Sequence, residues 1–402
     1  MLFKGNPKKR LPELRTAFLD YCRSGKLLPE ETSQPPLFFN APPVRDYISL
    51  GAENNELLPE IVASLAAVES MNTYRGALCG YLIGLYGESG VSDPQTDLAL
   101  GRFYLRLLGL AEAYIKLALG HCPEISPADF WASKASKASE EAQEELAARL
   151  PELDPVLLAM ANPEAALCWQ GFEPLSFGVM SRLAGSRRLR EWLRRQDTEG
   201  SVRRQCELLG NYREAVGFIP YMLRLAEEER LLLIAPAAGA GVEVEARQID
   251  SNNQFFTLLQ FALYREGLLE KLGAAEFRYQ PEIEKAARHL PQSAAEQQEQ
   301  TAQPVQLVQQ GCFGYYTYPA WHGGDYNETE PVWGEGGLYE IPRLEGRLVI
   351  LLTRPRILRS WGGAFICGTH SGLRPSVRVL RELAAEEVQS WLAKIRAANG
   401  DK

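Results

Sequence analysis

Apolar residues recur at spacings of three and four along most of residues 1–230, which is the period of an α-helix with one buried face. Clear runs occupy 55–70, 72–90 and 92–120, and in the last of these Asp93 followed by proline is typical of a helix start. Helices of similar length joined by short turns are typical of an antiparallel bundle or a layered helical array. We therefore predict a mainly α-helical N-terminal domain over 1–230.

Two stretches of this domain carry more specific predictions. A helix is expected over 126–154, opening at Ser126 and becoming strongly polar in its later half. The segment "QPPLFFNAPPVRDY" (34–47) contains four prolines, so we predict extended chain lying against the helices, with Phe38 and Phe39 buried. The alternative is a proline-rich ligand for another protein, which buried phenylalanines disfavour.

The pattern changes near residue 231 to shorter apolar runs bounded by turn residues. Strands, helices and one polar, linker-like stretch are predicted in the following order: a strand at "LLLIAP", a strand at 241–249, a helix at 250–273 capped by Asp250 or Ser251, the linker at 293–303, strands at 304–318 and 346–353, and an amphipathic helix at 380–398. The run at 346–353 is almost continuously apolar, as in a buried central strand. This order predicts a smaller α+β domain over 231–402 with a mixed or antiparallel sheet, and an α+β protein overall.

Composition limits the class of protein. A chain of 402 residues, 46% of them apolar and 23% charged, suits two or three globular domains. No apolar run reaches bilayer length and the first residues lack a signal-peptide core, so we expect no membrane partner and no cleaved leader. The seven cysteines are scattered without a C-x-x-C pair, which favours a reducing, cytoplasmic location.

Charge bears on the partner. The formal net charge is −8, from 43 basic against 51 acidic residues, which argues against nucleic acid as a partner. It suits either a protein kept in solution by its charge or one that meets a basic partner.

Two segments resemble known sequences. The stretch "EARQIDSNNQFFTLLQFALY" (245–264) resembles a segment of uncharacterised bacterial proteins in which a strand, a short Asn-containing turn and a Leu-rich helix follow one another. The stretch 332–361 resembles the C-terminal part of such proteins, where Trp-x-Glu precedes an Ile-Pro turn, an apolar strand and a Ser-Trp pair. The resemblance covers about 50 of 402 residues. That family has no known activity, so it implies no role for any residue.

His322 and Asp325 are candidate catalytic residues. A histidine near a carboxylate can act as a general base or contribute two metal ligands. The spacing H-G-G-D is no recognised ligand motif, and the alternative is a loop histidine stacked on Trp321. No nucleophile elbow and no glycine motif for phosphate binding occur, so we predict no metal and no cofactor.

Charged residues form two blocks near the C-terminus. Five acids and no base lie between Asp325 and Glu340, and seven arginines and no acid lie between Arg347 and Arg381. These blocks could pair with each other inside one domain, or one of them could face a charged partner.

Aromatic residues are interleaved with acids in glycine-rich loops over 315–340. Tyrosine and tryptophan are common at interface hot spots, although they also pack ordinary β-cores. Their position in loops favours a binding surface. The predicted binding residues are Tyr318, Trp321, Asp325, Tyr326, Trp333, Glu335, Arg359 and Trp361.

Three functions remain open at this point. The favoured one is a cytoplasmic protein-binding protein, for example an immunity protein that occludes a basic toxin with the acidic and aromatic loops. The second is a hydrolase that uses His322 and Asp325, with or without a metal. The third is a helical scaffold in which the N-terminal domain carries the interaction.

Overall fold

The chain divides into two compact units, Met1–Leu223 and Arg224–Lys402. This computed structural model describes residues 7–27, 30–32, 34–132, 136–274, 277–288, 311–322, 325–327, 331–334, 336–355 and 373–400. The division falls a few residues before position 230, because Ala226 already pairs with Ile249 of the second unit. A mostly helical first unit and a mixed second unit confirm the predicted α+β class.

The first unit is built from helices and short 3-10 turns. Its helices are α1 (Pro7–Arg23), α2 (Pro35–Asn40), α3 (Pro42–Glu53), α4 (Leu58–Ser64), α5 (Thr73–Glu88), α6 (Pro94–Gly120), α7 (Pro127–Phe130), α8 (Lys137–Arg149), α9 (Pro155–Ala161), α10 (Pro163–Gly185), α11 (Arg187–Gln196), α12 (Ser201–Leu209) and α13 (Glu214–Arg224), whose last residue, Arg224, is the first residue of the second unit. The predicted start of α6 is confirmed, since the Asp93 carboxylate accepts a hydrogen bond from the Thr96 amide at 2.7 Å. Among the helices that the structure describes, none is long and apolar enough to cross a membrane.

The proline-rich segment 34–47 is helical, so the prediction of extended chain was wrong. One proline pair lies in the first turn of α2 and the other in the first turn of α3. Backbone N–H groups of a first turn make no hydrogen bond within the helix, so proline, which lacks this group, is tolerated there. Phe38 is fully buried as expected, whereas Phe39 is half-buried. The single helix predicted over 126–154 is also wrong, because α7 ends at Phe130 and α8 begins at Lys137.

Helices α5 and α10 cross at glycines. A Cβ placed on Gly84 would lie 2.5 Å from the Cα of Gly178, and one placed on Gly178 would lie 2.7 Å from the carbonyl carbon of Gly80. The two backbones therefore touch directly, and this crossing has no room for a side chain.

The second unit combines a sheet with helices. Its elements are β1 (Glu229–Ala235), β2 (Ala240–Arg247), α14 (Asn252–Arg265), α15 (Pro281–Ala287), β3 (Gly314–Thr317), β4 (Trp321–His322), β5 (Asp325–Tyr326), β6 (Arg343–Leu344), β7 (Arg347–Thr353), β8 (Ser376–Glu382) and α16 (Ala385–Ala398). The sheet runs β3-β7-β1-β2-β8 with β6 beside β7, and it is mixed, because β1 is parallel to β7 and antiparallel to β2. The interior position predicted for the strand at 346–353 is confirmed.

The two faces of this sheet are covered by different helices. Apolar side chains of α14, including Phe255 and Leu259, pack on the face that carries Leu231. Val388 and Leu392 of α16 pack on the opposite face. The first residues of the helix predicted at 380–398 belong instead to β8, and the predicted linker 293–303 lies outside the described residues.

Candidate functional site

The first turn of α14 holds the loop that follows residue 331. Ser251 caps the helix by accepting a hydrogen bond from the Gln254 amide. The amide of Asn252 donates to the carbonyl of Gly336, and the amide of Asn253 donates to the carbonyl of Gly334, both at 2.7 Å. Loop carbonyls therefore satisfy helix N–H groups that would otherwise be available to an anion.

A side chain strengthens the same attachment. The Asn252 amide nitrogen donates to the carbonyl of Trp333 at 2.9 Å. Gly334 lies so close to Asn253 that a Cβ at position 334 would be 2.5 Å from the Cγ of that asparagine. A side chain at position 334 would therefore require the Asn253 side chain to move.

The loop is also fixed from its other side. The Val332 amide donates to the carbonyl of Tyr315 on β3 at 2.9 Å. Val332, Leu338 and Ile341 are buried in the core that α14 shares with the sheet. Both flanks of Trp333 are therefore anchored in the second unit.

Trp333 itself faces solvent. Its exposed fraction is 66%, and that of Tyr339 is 49%. The guanidinium of Arg224 lies over the Tyr339 ring at 5.4 Å. Partial burial raises the pKa of Tyr339 to about 12, and a hydrogen bond with the exposed Glu340 adds to this shift. We call Trp333, Tyr339, Glu340 and Arg224 the Trp333 surface.

Three of the predicted binding residues serve the core instead. Trp321 is only 3% exposed and packs with the half-buried Tyr318 and Tyr326 under α16. The Asn399 amide donates to the carbonyl of Trp321 at 2.6 Å, and Arg396 lies over the indole at 5.3 Å. These contacts explain the aromatic content of residues 315–326 by packing.

His322 and Asp325 face each other across the β4–β5 hairpin. Both are exposed, so neither has the desolvated surroundings that catalytic acid–base pairs usually need. In the part of the chain that the structure describes, no group of three or more His, Cys, Asp or Glu residues could hold a metal ion. Of the remaining predicted site residues, Glu335, Arg359 and Trp361 lie outside the described residues.

Three arginines of the block between Arg347 and Arg381 form ion pairs on the sheet. Arg381 and Arg347 contact the buried Glu243 at 3.0 and 3.2 Å, and Arg378 contacts the buried Glu245 at 3.1 Å. Burial alone would raise the pKa of Glu245, yet this pKa lies below its ordinary value because arginines stabilise the carboxylate. These three arginines therefore pair with acids of β2.

Sequence reasoning missed the residues that position Trp333. Asn252 and Asn253 follow the capping serine, so the sequence indicates them only as part of a helix start and not as residues that hold a loop. Tyr339 is an aromatic residue of the 315–340 loops but not one of the predicted binding residues, and nothing in the sequence singles out Arg224. We compared the whole chain with models of protein families, with curated proteins and with solved structures, and nothing matches.

Proposed function

We propose that this protein binds another protein and that Trp333 is the anchor of the binding surface. The observation that carries the proposal is a mostly exposed tryptophan on a backbone held by hydrogen bonds from Asn252 and Asn253. A large ring on a fixed backbone loses little conformational freedom when a partner covers it. Residues of this kind are common at interface hot spots.

The energy available at this position is sizeable. A tryptophan side chain buries about 200 Å² when fully covered, at roughly 25 cal/mol per Å². Covering the 66% of Trp333 that is exposed would then contribute about 3 kcal/mol. This lies in the range of measured hot-spot residues, so a single truncation should weaken binding strongly.

The charge of the chain favours a basic partner. The net charge is −8, and the acidic block from Asp325 to Glu340 contains no base. The exposed Glu340 would meet a cationic side chain beside the pocket that receives Trp333, whereas the Tyr339 ring already has Arg224 over it. A concrete version is an immunity protein that occludes a basic toxin. Glu335, Arg359 and Trp361 remain predicted members of this surface.

The test is capture of the partner from cells of the native host with the tagged full-length protein as bait, followed by mass spectrometry. Three baits are compared: the natural sequence, Trp333→Ala and the matched control Tyr264→Ala. Tyr264 is an exposed aromatic of the same unit, 44% exposed, whose ring stacks on Tyr279 at 5.6 Å. Circular dichroism and thermal unfolding establish that all three proteins are folded.

The proposal requires one basic protein at near-equal stoichiometry, retained by the natural sequence and by Tyr264→Ala and lost by Trp333→Ala. Raising the salt concentration should release it, because charge pairs around the anchor are screened. Equal retention by Trp333→Ala would remove Trp333 from the interface. Recovery of a small molecule or metal with no protein would overturn protein binding.

A further inference from the structure

Helix α9 of the first unit exposes apolar side chains. Val156, Leu157 and Met160 have exposed fractions of 61%, 53% and 75%. Val156 and Met160 are four residues apart and so share one face of the helix. Leu158, at 1% exposure, is the side chain that attaches the helix to the unit. A seven-residue helix thus carries more apolar surface outside than inside.

This exposed surface is fixed in place. The Asp154 carboxylate accepts a hydrogen bond from the Val156 amide at 2.8 Å and caps the helix. At the other end, the Asn162 amide donates to the carbonyl of Leu158 at 3.1 Å. Isolated apolar residues are normal on a protein surface, but adjacent ones on a single capped helix form a patch of the kind found at interaction sites.

The chain around this patch is acidic. Residues 137–164 contain seven acids and two bases. Lys137 is paired with Glu141 at 3.3 Å, and Arg149 contacts Glu124 and Glu152 at 3.1 and 3.2 Å. Both bases therefore already have acidic partners, and the segment as a whole presents negative charge.

A groove on α8, the helix before α9, lies in the same acidic segment. It encloses about 370 Å³ and is lined by Glu140, Gln143, Glu144, Ala147 and Asn211. The Gln143 amide donates to the carbonyl of Phe130 at 3.2 Å, and Asn211 donates to the Gln143 oxygen at 2.7 Å. These bonds fix the polar floor, while the two exposed glutamates at the rim suit the cationic end of a lysine or arginine.

We propose that α9 is a docking surface for a basic amphipathic helix of a protein partner. The apolar side of that helix covers Val156, Leu157 and Met160, and the acids of residues 137–164 attract its lysines or arginines. This is helix recognition by an apolar patch with complementary charge. The surface belongs to the first unit, shares no residue with the Trp333 surface and does not depend on the function proposed for Trp333.

A second copy of the chain is a poorer occupant. A symmetric dimer would place the same patch of each copy against the other. The acids of residues 137–164 would then face their own counterparts, and like charges brought together oppose association. Charge therefore favours a basic partner over self-association.

The test uses a fluorescent peptide of about eighteen residues, in which leucines and lysines alternate with the helical period, titrated against the full-length protein. A control peptide has the same leucines with glutamates in place of the lysines. The anisotropy titration should show binding of the lysine peptide only. The double substitution Leu157→Ser with Met160→Ser should weaken it at least about tenfold. Glu140→Gln with Glu144→Gln should reduce its dependence on salt.

The matched control is Leu85→Ser with Phe177→Ser, which removes two other apolar side chains of the first unit, each 40% exposed. It should leave the affinity unchanged, as should Trp333→Ala. Equal binding by the folded Leu157→Ser, Met160→Ser protein would overturn the proposal. So would loss of binding in Trp333→Ala, which would assign the peptide to the other surface. A dimer in sedimentation that the α9 double substitution dissociates would assign the patch to a second copy.

Discussion

The side-chain amide of Asn252 and the backbone carbonyl of Trp333 are joined by a hydrogen bond of 2.9 Å. Asn252 is 1% exposed, whereas the tryptophan that it positions is 66% exposed. A buried polar group thus holds the backbone that carries an exposed ring. Rigidity and exposure at this site come from different residues and can be changed separately.

Replacing Asn252 with alanine should reduce the rigidity of the loop without changing the exposure of Trp333. The backbone amide at 252 still reaches Gly336, but the bond to Trp333 is lost, which should lower the free energy of unfolding by about 1 kcal/mol. Partner binding should weaken although Trp333 is intact. Urea unfolding and the capture assay measure both effects. Asn253→Ala is the control, because its bond to Gly334 comes from the backbone and survives. Equal losses in both variants would contradict the role of the Asn252 side chain.

Gly334→Ala should disturb the loop through one neighbour. The new methyl group would meet the end of the half-buried Asn253 side chain, with the Cγ at 2.5 Å, and moving that side chain out of its rotamer costs about 1 kcal/mol. Removing that side chain should make room for the methyl group. We therefore expect the double variant Gly334→Ala, Asn253→Ala to regain most of the lost stability. A double-mutant cycle of unfolding free energies measures this coupling, and strict additivity would show that the clash lies elsewhere.

Gly178→Ala should be strongly destabilising. Its Cβ would lie 2.7 Å from the Gly80 carbonyl carbon and 2.8 Å from the Tyr81 Cα, so two backbones would have to separate, at a cost of about 1–3 kcal/mol. Gly109 is the matched control, since a Cβ there meets nothing within 4 Å. Gly109→Ala should stabilise α6 by up to about 1 kcal/mol. Thermal unfolding of the two variants should shift in opposite directions.

Glu387 should make stability depend on acid pH. Arg381 donates to its carboxylate at 2.8 and 2.9 Å, and the Ala384 amide donates at 3.0 Å, which lowers the pKa of Glu387 from its ordinary 4.5 to about 2. A lowered carboxylate pKa stabilises the fold above the ordinary value and loses this effect as pH falls. The stability difference between the natural protein and Glu387→Gln should therefore be full above about pH 4.5 and shrink towards pH 2. A difference independent of pH would contradict this role.

Local signals were the most predictable part of the fold. Asp93, Ser126 and Ser251 each precede a helix, and the side chain of each accepts a hydrogen bond from a backbone amide in the first turn of that helix. This contact depends on only three or four neighbouring residues. The prolines at 35 and 42 misled the prediction, because proline suits both extended chain and the first helical turn, and sequence alone does not separate these environments.

The candidate site was less predictable because exposure depends on distant residues. Trp321 and Trp333 occur in similar glycine-rich sequence, yet Trp321 is covered by α16, more than fifty positions later in the chain. Trp333 has no such cover within the part of the second unit that is described, and it is held by asparagines about eighty positions earlier. The exposed patch on α9 was missed for a related reason, since the run "PVLLAMA" reads as buried when its neighbours in space are unknown.

The sheet of the second unit closes late during synthesis. Strands β1 and β2 are neighbours in sequence, but β1 finds its parallel partner at Leu348–Leu351 and β2 finds its outer partner at 376–382, each more than a hundred positions later. A two-stranded hairpin is marginally stable in water, and its unpaired edges invite association with other chains. A nascent or truncated chain that ends before β7 therefore presents two open edges beside the apolar face of α14. Because the partner strands come last in the sequence, a chain that ends before them needs protection during translation.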